Sequence, residues 1–502
     1  MTRSSLLVLL AAVGGAIACN AILGIEDVDF RPGADSSVDS GVDAAIDPKC
    51  EPSPRDDASV LRDGCGVFAA PSGLNDAAGT RDAPVKSVAR AIELALAKRL
   101  PHVYLCAAPY AESLHIDGAQ AHFNVGVYGG LACPGATNAW SLAEARASLH
   151  PATGMALRIE NAGAGVTIED IDFSAGDAAA PGESSVAGYV SDAGSVLFRR
   201  ASFTAGKGRG GTDADAPQKP QQGSVDGIPG DQGGGAKLCE CLPFRTSSRG
   251  GAAGTTERAG GENGSPGGAL GGLPVIDDAG RNRSPCGEDG GLDGAHDGGS
   301  GTSGKNGAPG KHGVDAGLGT IAADGWQPMA GIDGTNGEMG QGGGGGRGGN
   351  CSTPQGGGGG CGGCGGTGAQ GGKGGGASIA LLVKASGVRL VDVVLTANDA
   401  GNGGRGADGT APLPGGARGL PAGDQPCACW GGNGGNGGAG GSGGGGAGGL
   451  SVGLLYSGEP PQYEPATLKV TVGKPGSGGR PGDGAAPGRS GLAQPILDTK
   501  GF

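Results

Sequence analysis

The residues with the most chemistry in this chain are Asp170, Asp172, Arg199, Arg200 and Asp392, carried on short segments that resemble one another. Clustered carboxylates hold divalent cations, and a basic side chain beside them can take up a proton. The same residues have a plainer reading. Alignment of the segments stacks Glu169-Asp170 against Arg199-Arg200 one strand away, at about 4.8 Å. Opposite charges at that spacing form a surface ladder worth about 0–1 kcal/mol per pair, and the alignment favours the ladder. No catalytic residue is assigned. His-Glu-x-x-His, Gly-x-Ser-x-Gly, a phosphate-binding lysine loop and tandem calcium-binding glycine nonapeptides are all missing, and the 6 histidines are scattered. Aromatic side chains are 3% of the chain, so the platforms that bind sugars are scarce. Trp140, Trp326 and Trp430 are the tryptophans, and Trp430, next to Cys429, is expected to pack on a disulfide.

Cysteine supplies the second kind of chemistry. Besides Cys19, the chain has Cys50, Cys65, Cys106 and Cys133 in its N-terminal part, Cys239, Cys241, Cys286, Cys351, Cys361 and Cys364 in a first glycine-rich tract, and Cys427 and Cys429 in a second. Each group is even in number, as a disulfide framework gives. Cys239-x-Cys241, Cys361-x-x-Cys364 and Cys427-x-Cys429 are also thiol pairs of the kind that bind zinc or an iron–sulfur cluster. Export favours disulfides, and no metal or cofactor is assigned. Cys427 and Cys429 are too close to bridge each other comfortably; they are expected to reach the first tract, for example Cys361 and Cys364 or Cys239 and Cys241, tying the two tracts together.

The elements that position these residues show in the periodicity. Val166, Ile168, Ile171 and Phe173 share their spacing with Val196, Phe198, Ala201 and Phe203, and with Val388, Leu390, Val393 and Leu395. Apolar residues at the first, third, sixth and eighth places predict two strands, each alternating inward, around a two-residue corner. Ser185–Val190, Ser378–Val383 and Ser451–Tyr456 form a second matching set, and Leu468–Val472 supplies a companion strand. Between these segments lies the glycine: 61 of the 117 glycines fall in 206–376 and 23 in 401–449. Both tracts follow a Thr-Ala step and return through Gly-Gly-x-Ser, so both read as insertions at one corner of successive repeats, lying side by side. A shorter run at 473–482 leaves from the same place. Strict three-residue spacing, as in Gly301, Gly304, Gly307, Gly310 and Gly313, permits extended glycine helices packed as a sheet. Disorder competes, because ordering glycine costs about 1–2 kcal/mol per residue and buries little apolar area.

Upstream, an apolar strand at 66–70 is followed by Pro71-Ser72-Gly73, Gly79-Thr80, Ala83-Pro84, an amphipathic helix over 87–100, a strand at 102–106 and Pro109-Tyr110-Ala111-Glu112. This order resembles the opening of right-handed parallel β-helix proteins of the pectate-lyase-like superfamily, especially exported bacterial lipoproteins of unassigned function. The resemblance implies an all-β fold: a short right-handed parallel β-helix with an N-terminal capping helix and long glycine-rich insertions, partly disordered or extended. It also sets Cys106 near Cys133, close enough to bridge. Lyases of that superfamily hold calcium on outward carboxylates and use arginine or lysine as base, roles that would fall on Asp170, Asp172, Arg199, Arg200 and Asp392. The superfamily hosts hydrolases and adhesins as well, so activity does not follow from the fold.

Residues 1–18 have one cation, Arg3, an apolar run Leu6–Val13 and small residues before Cys19, the layout of an export signal. Ala16-Ile17-Ala18-Cys19 resembles the bacterial lipoprotein box, which implies a lipid on Cys19 as the mature N-terminus. Residues 19–49 are acidic and poor in apolar side chains, an extended tether. The plan is then an N-terminal cap and first rungs at 50–205, insertions at 206–376 and 401–449, rungs at 377–400 and 450–473, and a glycine- and proline-rich tail at 474–502. A net charge of −13 without a basic run excludes nucleic acid as a partner. The expected protein is not an enzyme: it is lipid-anchored in the bacterial envelope, at the outer membrane or cell surface, with a structural or adhesive role toward polysaccharide or another surface protein. A polysaccharide lyase-like enzyme is the alternative.

Overall fold

The computed structural model of the chain describes residues 47–118, 123–133, 140–255, 261–266, 270–271, 300–348, 355–423 and 428–501. Cys19, the export signal and the tether up to residue 46 lie outside the described residues, as do Cys286, Cys351 and Cys427.

The inward alternation of the repeats builds three parallel sheets. The first holds Gly66–Ala69, His102–Cys106, Val125–Leu131, Val166–Glu169, Val196–Arg199, Val388–Val391 and Gln462–Tyr463. The second holds Pro109–Tyr110, Ala147–Leu149, Ile171–Ser174, Ser202–Thr204, Val393–Thr396 and Leu468–Thr471; the third holds Leu114–Asp117, Leu157–Glu160, Ser185–Ser191, Ser378–Lys384, Ser451–Ser457 and Ala493–Asp498. From His102 onward the chain visits the three in turn. Val166, Val196 and Val388 are in register, as are Ile168, Phe198 and Leu390. Phe173 and Phe203 stack at 5.1 Å between ring centroids in the shared core.

One residue, not two, makes the corner between the first and second sheets. Ile171, Ala201 and Val393 are buried in the core, so only the residue before each is left to turn the chain. Asp170, Arg200 and Asp392 do so with φ of 58°, 49° and 55°, the left-handed region that reverses direction in a single step. The strand Ala493–Asp498, within the stretch read as a tail, pairs in parallel with Ser451–Ser457 and adds one more strand to the third sheet.

The amphipathic helix is Val88–Lys98, with Val88, Ala91, Ile92 and Ala95 buried against the end strands. Ser87 Oγ accepts the Arg90 N–H at 3.2 Å, and the Glu112 carboxylate accepts the Val88 N–H at 2.9 Å, placing negative charge at the helix N-terminus. Three third-sheet strands, Ser185–Ser191, Ser378–Lys384 and Ser451–Ser457, are buried on both faces because both are covered. Ala187, Leu381 and Leu454 face the shared core, whereas Tyr189, Ile379, Leu382 and Leu455 pack with Trp326 from a hairpin, Gly319–Ala322 and Gly325–Pro328, within the first glycine tract.

All three glycine-rich stretches leave second-sheet strands and return to third-sheet strands. At the first two returns a serine locks this corner. Ser378 Oγ donates to the Gly206 carbonyl at 2.7 Å and accepts the Asn398 N–H at 2.8 Å; Ser451 Oγ donates to the Asn398 carbonyl at 2.8 Å and accepts the Gly473 N–H at 2.9 Å. Each serine thereby bridges the chain leaving one repeat and the chain leaving the next.

Within the tracts the described chain is extended and ordered by hydrogen bonds at every third residue. Gly331, Gly334, Gly337, Gly340, Gly343 and Gly346 donate to the carbonyls of Gly372, Ala369, Gly366, Gly363, Gly360 and Gly357. Gly360, Gly363, Gly366 and Gly372 donate in turn to Gly432, Gly435, Gly438 and Gly444; Gly435, Gly438, Gly441 and Gly444 donate to Gln341, Glu338, Thr335 and Ile332. A residue every third place facing one neighbour means three residues per turn, the repeat of extended left-handed helices. Each segment meets several neighbours, so the packing is a bundle and not a single sheet.

Glycine marks the contacts of this lattice column by column. A methyl group on Gly363 would overlap the Leu413 carbonyl oxygen, and one on Gly437 the Cys364 carbonyl oxygen. In segment 431–449, two of the three columns face neighbours throughout and are glycine, apart from Ala447. The third reads Asn433, Asn436, Ala439, Ser442, then changes to Gly445 and Gly448 where Gly479 and Gly476 lie against it. In segment 331–346 the column Asp333, Asn336, Met339 changes to Gly342 and Gly345 where Arg249 and Ala252 arrive.

Gly363→Ala and Gly437→Ala are each expected to destabilise the lattice by about 1–3 kcal/mol, read as a lower denaturant midpoint under non-reducing conditions. Gly223, with open space where a Cβ would stand, is the control: Gly223→Ala should shift stability by less than about 0.5 kcal/mol. Equal tolerance at all three positions would contradict backbone-to-backbone packing.

Candidate functional site

The charged residues singled out in the sequence come together at the corner of the first and second sheets, and they are paired. Arg200 Nε donates to Asp170 Oδ1 at 2.9 Å, and its guanidinium also bonds Glu169. Arg55 Nε reaches the other Asp170 oxygen at 2.7 Å, Arg199 pairs with Asp56 at 3.2 Å, and Arg146 pairs with Asp172 at 3.2 Å. Ser202 Oγ donates to Asp172 at 2.6 Å. Asp392, one repeat further on, is exposed.

The expected ladder is present between Glu169-Asp170 and Arg199-Arg200, but it is not a surface one. Glu169 is 1% and Asp170 3% exposed. The cause is residues 47–65, a strap closed by the Cys50–Cys65 disulfide, whose Arg55 and Asp56 extend the network. The sequence reading placed 50–205 in the cap and first rungs without singling out these two partners; their only signal is an Arg-Asp pair between Cys50 and Cys65. Burial raises the Asp170 carboxyl above its ordinary value against the pull of Arg55. Both Asp170 oxygens and Glu169 Oε1 are taken by guanidinium groups, whereas Glu169 Oε2 is buried without a hydrogen-bond partner. Among the described residues, no group of three or more His, Cys, Asp or Glu is placed to hold a metal ion.

A groove of about 520 Å³ runs beside the strap on the first sheet, lined by Cys50, Glu51, His102, Asn124, Tyr128 and Thr167 among others. Tyr104 donates its hydroxyl proton to the Val60 carbonyl at 2.6 Å, so toward His102 Nδ1, 2.8 Å away, the Tyr104 oxygen accepts. The imidazole therefore carries its proton on Nδ1, leaving Nε2 as an acceptor. Burial pushes its pKa down to about 4, so at neutral pH this ring is an uncharged hydrogen-bonding group. His102 was not singled out in the sequence, where it reads as the first residue of a strand.

The cysteines resolve into disulfides. Cys106 is joined to Cys133, Cys239 to Cys361 and Cys241 to Cys364. Two of the three thiol pairs that suggested metal ligation, Cys239/Cys241 and Cys361/Cys364, are thus consumed by each other. These four are therefore not the partners of Cys429, correcting the specific pairing expected. Cys239 and Cys241 point to one face of strand Lys237–Leu242, two residues and about 6.7 Å apart. Cys361 and Cys364 occupy one column of a three-residue helix, about 9.3 Å apart. Cys-x-Cys and Cys-x-x-Cys are the spacings that a strand and such a helix require to face each other. Cys429 is disulfide-bonded as well, with a partner outside these pairs. The Trp430 ring carries the Arg418 guanidinium at 4.6 Å, a cation–π contact. Trp140 is buried edge-on to Phe68 and donates to the Arg81 carbonyl at 2.9 Å.

No protein-family model, no curated protein and no solved structure matches the chain, so the geometry alone carries the functional argument.

Removing Arg200 leaves buried Glu169 and Asp170 short of a partner. Arg200→Ala should cost about 3 kcal/mol at neutral pH, whereas Arg405→Ala, which removes an exposed pair with Asp408 at 3.5 Å, should cost under about 0.5 kcal/mol; equal effects would refute a buried network. His102 gives a pH signature. Its folded pKa of about 4 lies below the ordinary 6.5, so the unfolded chain takes up the proton first and stability falls as pH drops through that window, by about 3 kcal/mol at most. Stability of wild type minus His102→Gln, measured from pH 7.5 to 4, should show that slope; a flat difference would contradict a buried neutral imidazole.

Proposed function

We propose that the three sheets are the faces of a short right-handed parallel β-helix and that the protein is a lipid-anchored component of the bacterial envelope with a structural or adhesive role. The hand follows from the strong preference of parallel crossover connections. The observation that carries the role is the glycine lattice. Its interior contacts are mainly backbone against backbone, so most of its side chains stand on its outer columns, where they form a fixed array on a stiff body. Such a body suits presentation to a polysaccharide matrix or to another surface protein.

Two further features support this reading. Disulfides through the body and the lattice suit an oxidising compartment outside the cytosol. Both oxygens of Asp170 at the corner of the sheets are bonded to arginine, which favours a structural over a calcium-dependent catalytic role for it. An acyl chain on Cys19 would hold the body at the membrane through the acidic tether.

The test uses the full chain expressed in a bacterium that processes lipoproteins. Wild type should partition into the detergent phase and Cys19→Ala into the aqueous phase, and neither should release unsaturated products from polygalacturonate with calcium. Aqueous partition of both forms would remove the anchor. Calcium-dependent product that disappears in Asp170→Asn would establish the enzyme reading in place of the structural one.

A further inference from the structure

The chain has six Asn-Gly steps, all of them in the glycine tracts, beginning at Asn263, Asn306, Asn336, Asn402, Asn433 and Asn436. Asn-Gly is the dipeptide most prone to spontaneous loss of its side-chain amide. The glycine nitrogen attacks the asparagine Cγ; a C–N bond forms in a five-membered succinimide, the Cγ–NH2 bond breaks, and ammonia leaves with the glycine proton. Water then opens the ring to aspartate or to a β-aspartyl linkage, which adds one carbon to the backbone. No oxidant or cofactor is needed. An extra backbone carbon would break the three-residue register on which the lattice depends.

At five of these steps the structure ties down both reacting groups. The side-chain oxygens of Asn306, Asn336, Asn402, Asn433 and Asn436 accept the N–H groups of Asn436, Gly368, Ser477, Arg418 and Gly415 at 2.8–3.0 Å. The attacking nitrogens are engaged too. Gly307, Gly337, Gly403, Gly434 and Gly437 donate to the carbonyls of Asn436, Gly366, Ser477, Gly416 and Leu413 at 2.8–3.1 Å. Attack requires the side chain to swing back onto its own backbone and the N–H to lose its acceptor. Both hydrogen bonds must break together in a segment held by neighbours on either side.

Aspartates fill the same place elsewhere in the lattice. Asp399 Oδ1 accepts the Lys474 N–H at 2.8 Å, Asp213 the Arg405 N–H at 2.7 Å and Asp408 the Asp483 N–H at 2.8 Å. A side-chain carbonyl that caps the N–H of the adjoining segment is therefore a general device of the lattice edge. Asparagine performs it without adding charge, at the cost of a reactive Asn-Gly step.

We propose that these five Asn-Gly steps are latent modification sites, kept unreactive by the folded lattice and converted to β-aspartyl linkages once a segment opens. The lattice then protects itself from chemical ageing, and its opening becomes irreversible.

The experiment incubates the full oxidised chain, and the same chain reduced and unfolded in denaturant, at pH 8 and 37 °C, and follows deamidation of each asparagine by peptide mass spectrometry. Loss of two ordinary hydrogen bonds sets the expected native suppression at about 30-fold or more at all five sites. A single-site variant separates local protection from folding in general. Ser477 is exposed on a segment that already holds Pro475 and Pro481; Ser477→Pro deletes only the N–H that holds the Asn402 side chain. Deamidation at Asn402 should then rise several-fold in the folded protein while Asn433 and Asn436 stay slow. Equal rates in native and unfolded chains would overturn the proposal, and so would an unchanged Asn402 rate in folded Ser477→Pro.

Discussion

The whole molecule depends on one steric constraint: in the glycine tracts neighbouring backbones approach until no Cβ fits between them. Ordering glycine is entropically expensive, and these segments have almost no side chains with which to offset that cost. Close approach supplies what side chains cannot. It lets every third N–H reach a carbonyl of the next segment and lets the backbones pack at short range over their full length. The glycine content is therefore a record of contact. Asn433, Asn436 and Ala439 stand where segment 431–449 has a free edge, and Gly445 and Gly448 where another segment covers it.

The parallel sheets set up that approach. Because every tract leaves a second-sheet strand and returns to a third-sheet strand, the segments start side by side and in step. Ser378 and Ser451, wholly buried at the returns, fix the step by bonding backbone of successive repeats. At the other end, Cys239–Cys361 and Cys241–Cys364 join a two-residue strand period to a three-residue helix period. Each closes more than a hundred residues of chain, and long closed loops are those whose unfolded entropy a cross-link reduces most. The hairpin that carries Trp326 ties the first tract back onto the outer face of the third sheet.

The sheet-forming repeats were legible because Val166, Val196 and Val388 begin segments with one pattern, and burial on one face enforces that pattern. The common exit of the tracts was legible from the Gly-Gly-x-Ser returns for the same reason: a buried serine with fixed partners leaves a mark. What sequence reasoning did not reach depended on partners distant in the chain. The order of the tracts is set by contacts between 331–346, 357–372 and 431–449, none of which has a local signal beyond its glycine. Strand Ala493–Asp498 is short and holds Pro495, so its alternation is faint. The single-residue corner at Asp170 could be distinguished from a two-residue one only by seeing Ile171 buried. Arg55 and Asp56 belong to the corner network solely because the strap folds across the first sheet.

That strap also decides how the charged residues are understood. Exposed, Asp170 and Arg200 would be a place for chemistry; with Asp170 buried and bonded to both Arg200 and Arg55, they are a polar joint in the scaffold. The functional weight then moves to the lattice and the side chains along its outer columns, and everything proposed for the protein assumes that the lattice is a rigid body. Amide hydrogen exchange on the intact, oxidised chain tests this most directly. The N–H groups of Gly360, Gly363, Gly366 and Gly372 should be protected to the same order as those of Leu381 and Val383 in the third sheet. Exchange of those glycines at the rate of an unstructured chain, with Leu381 and Val383 still protected, would contradict the account.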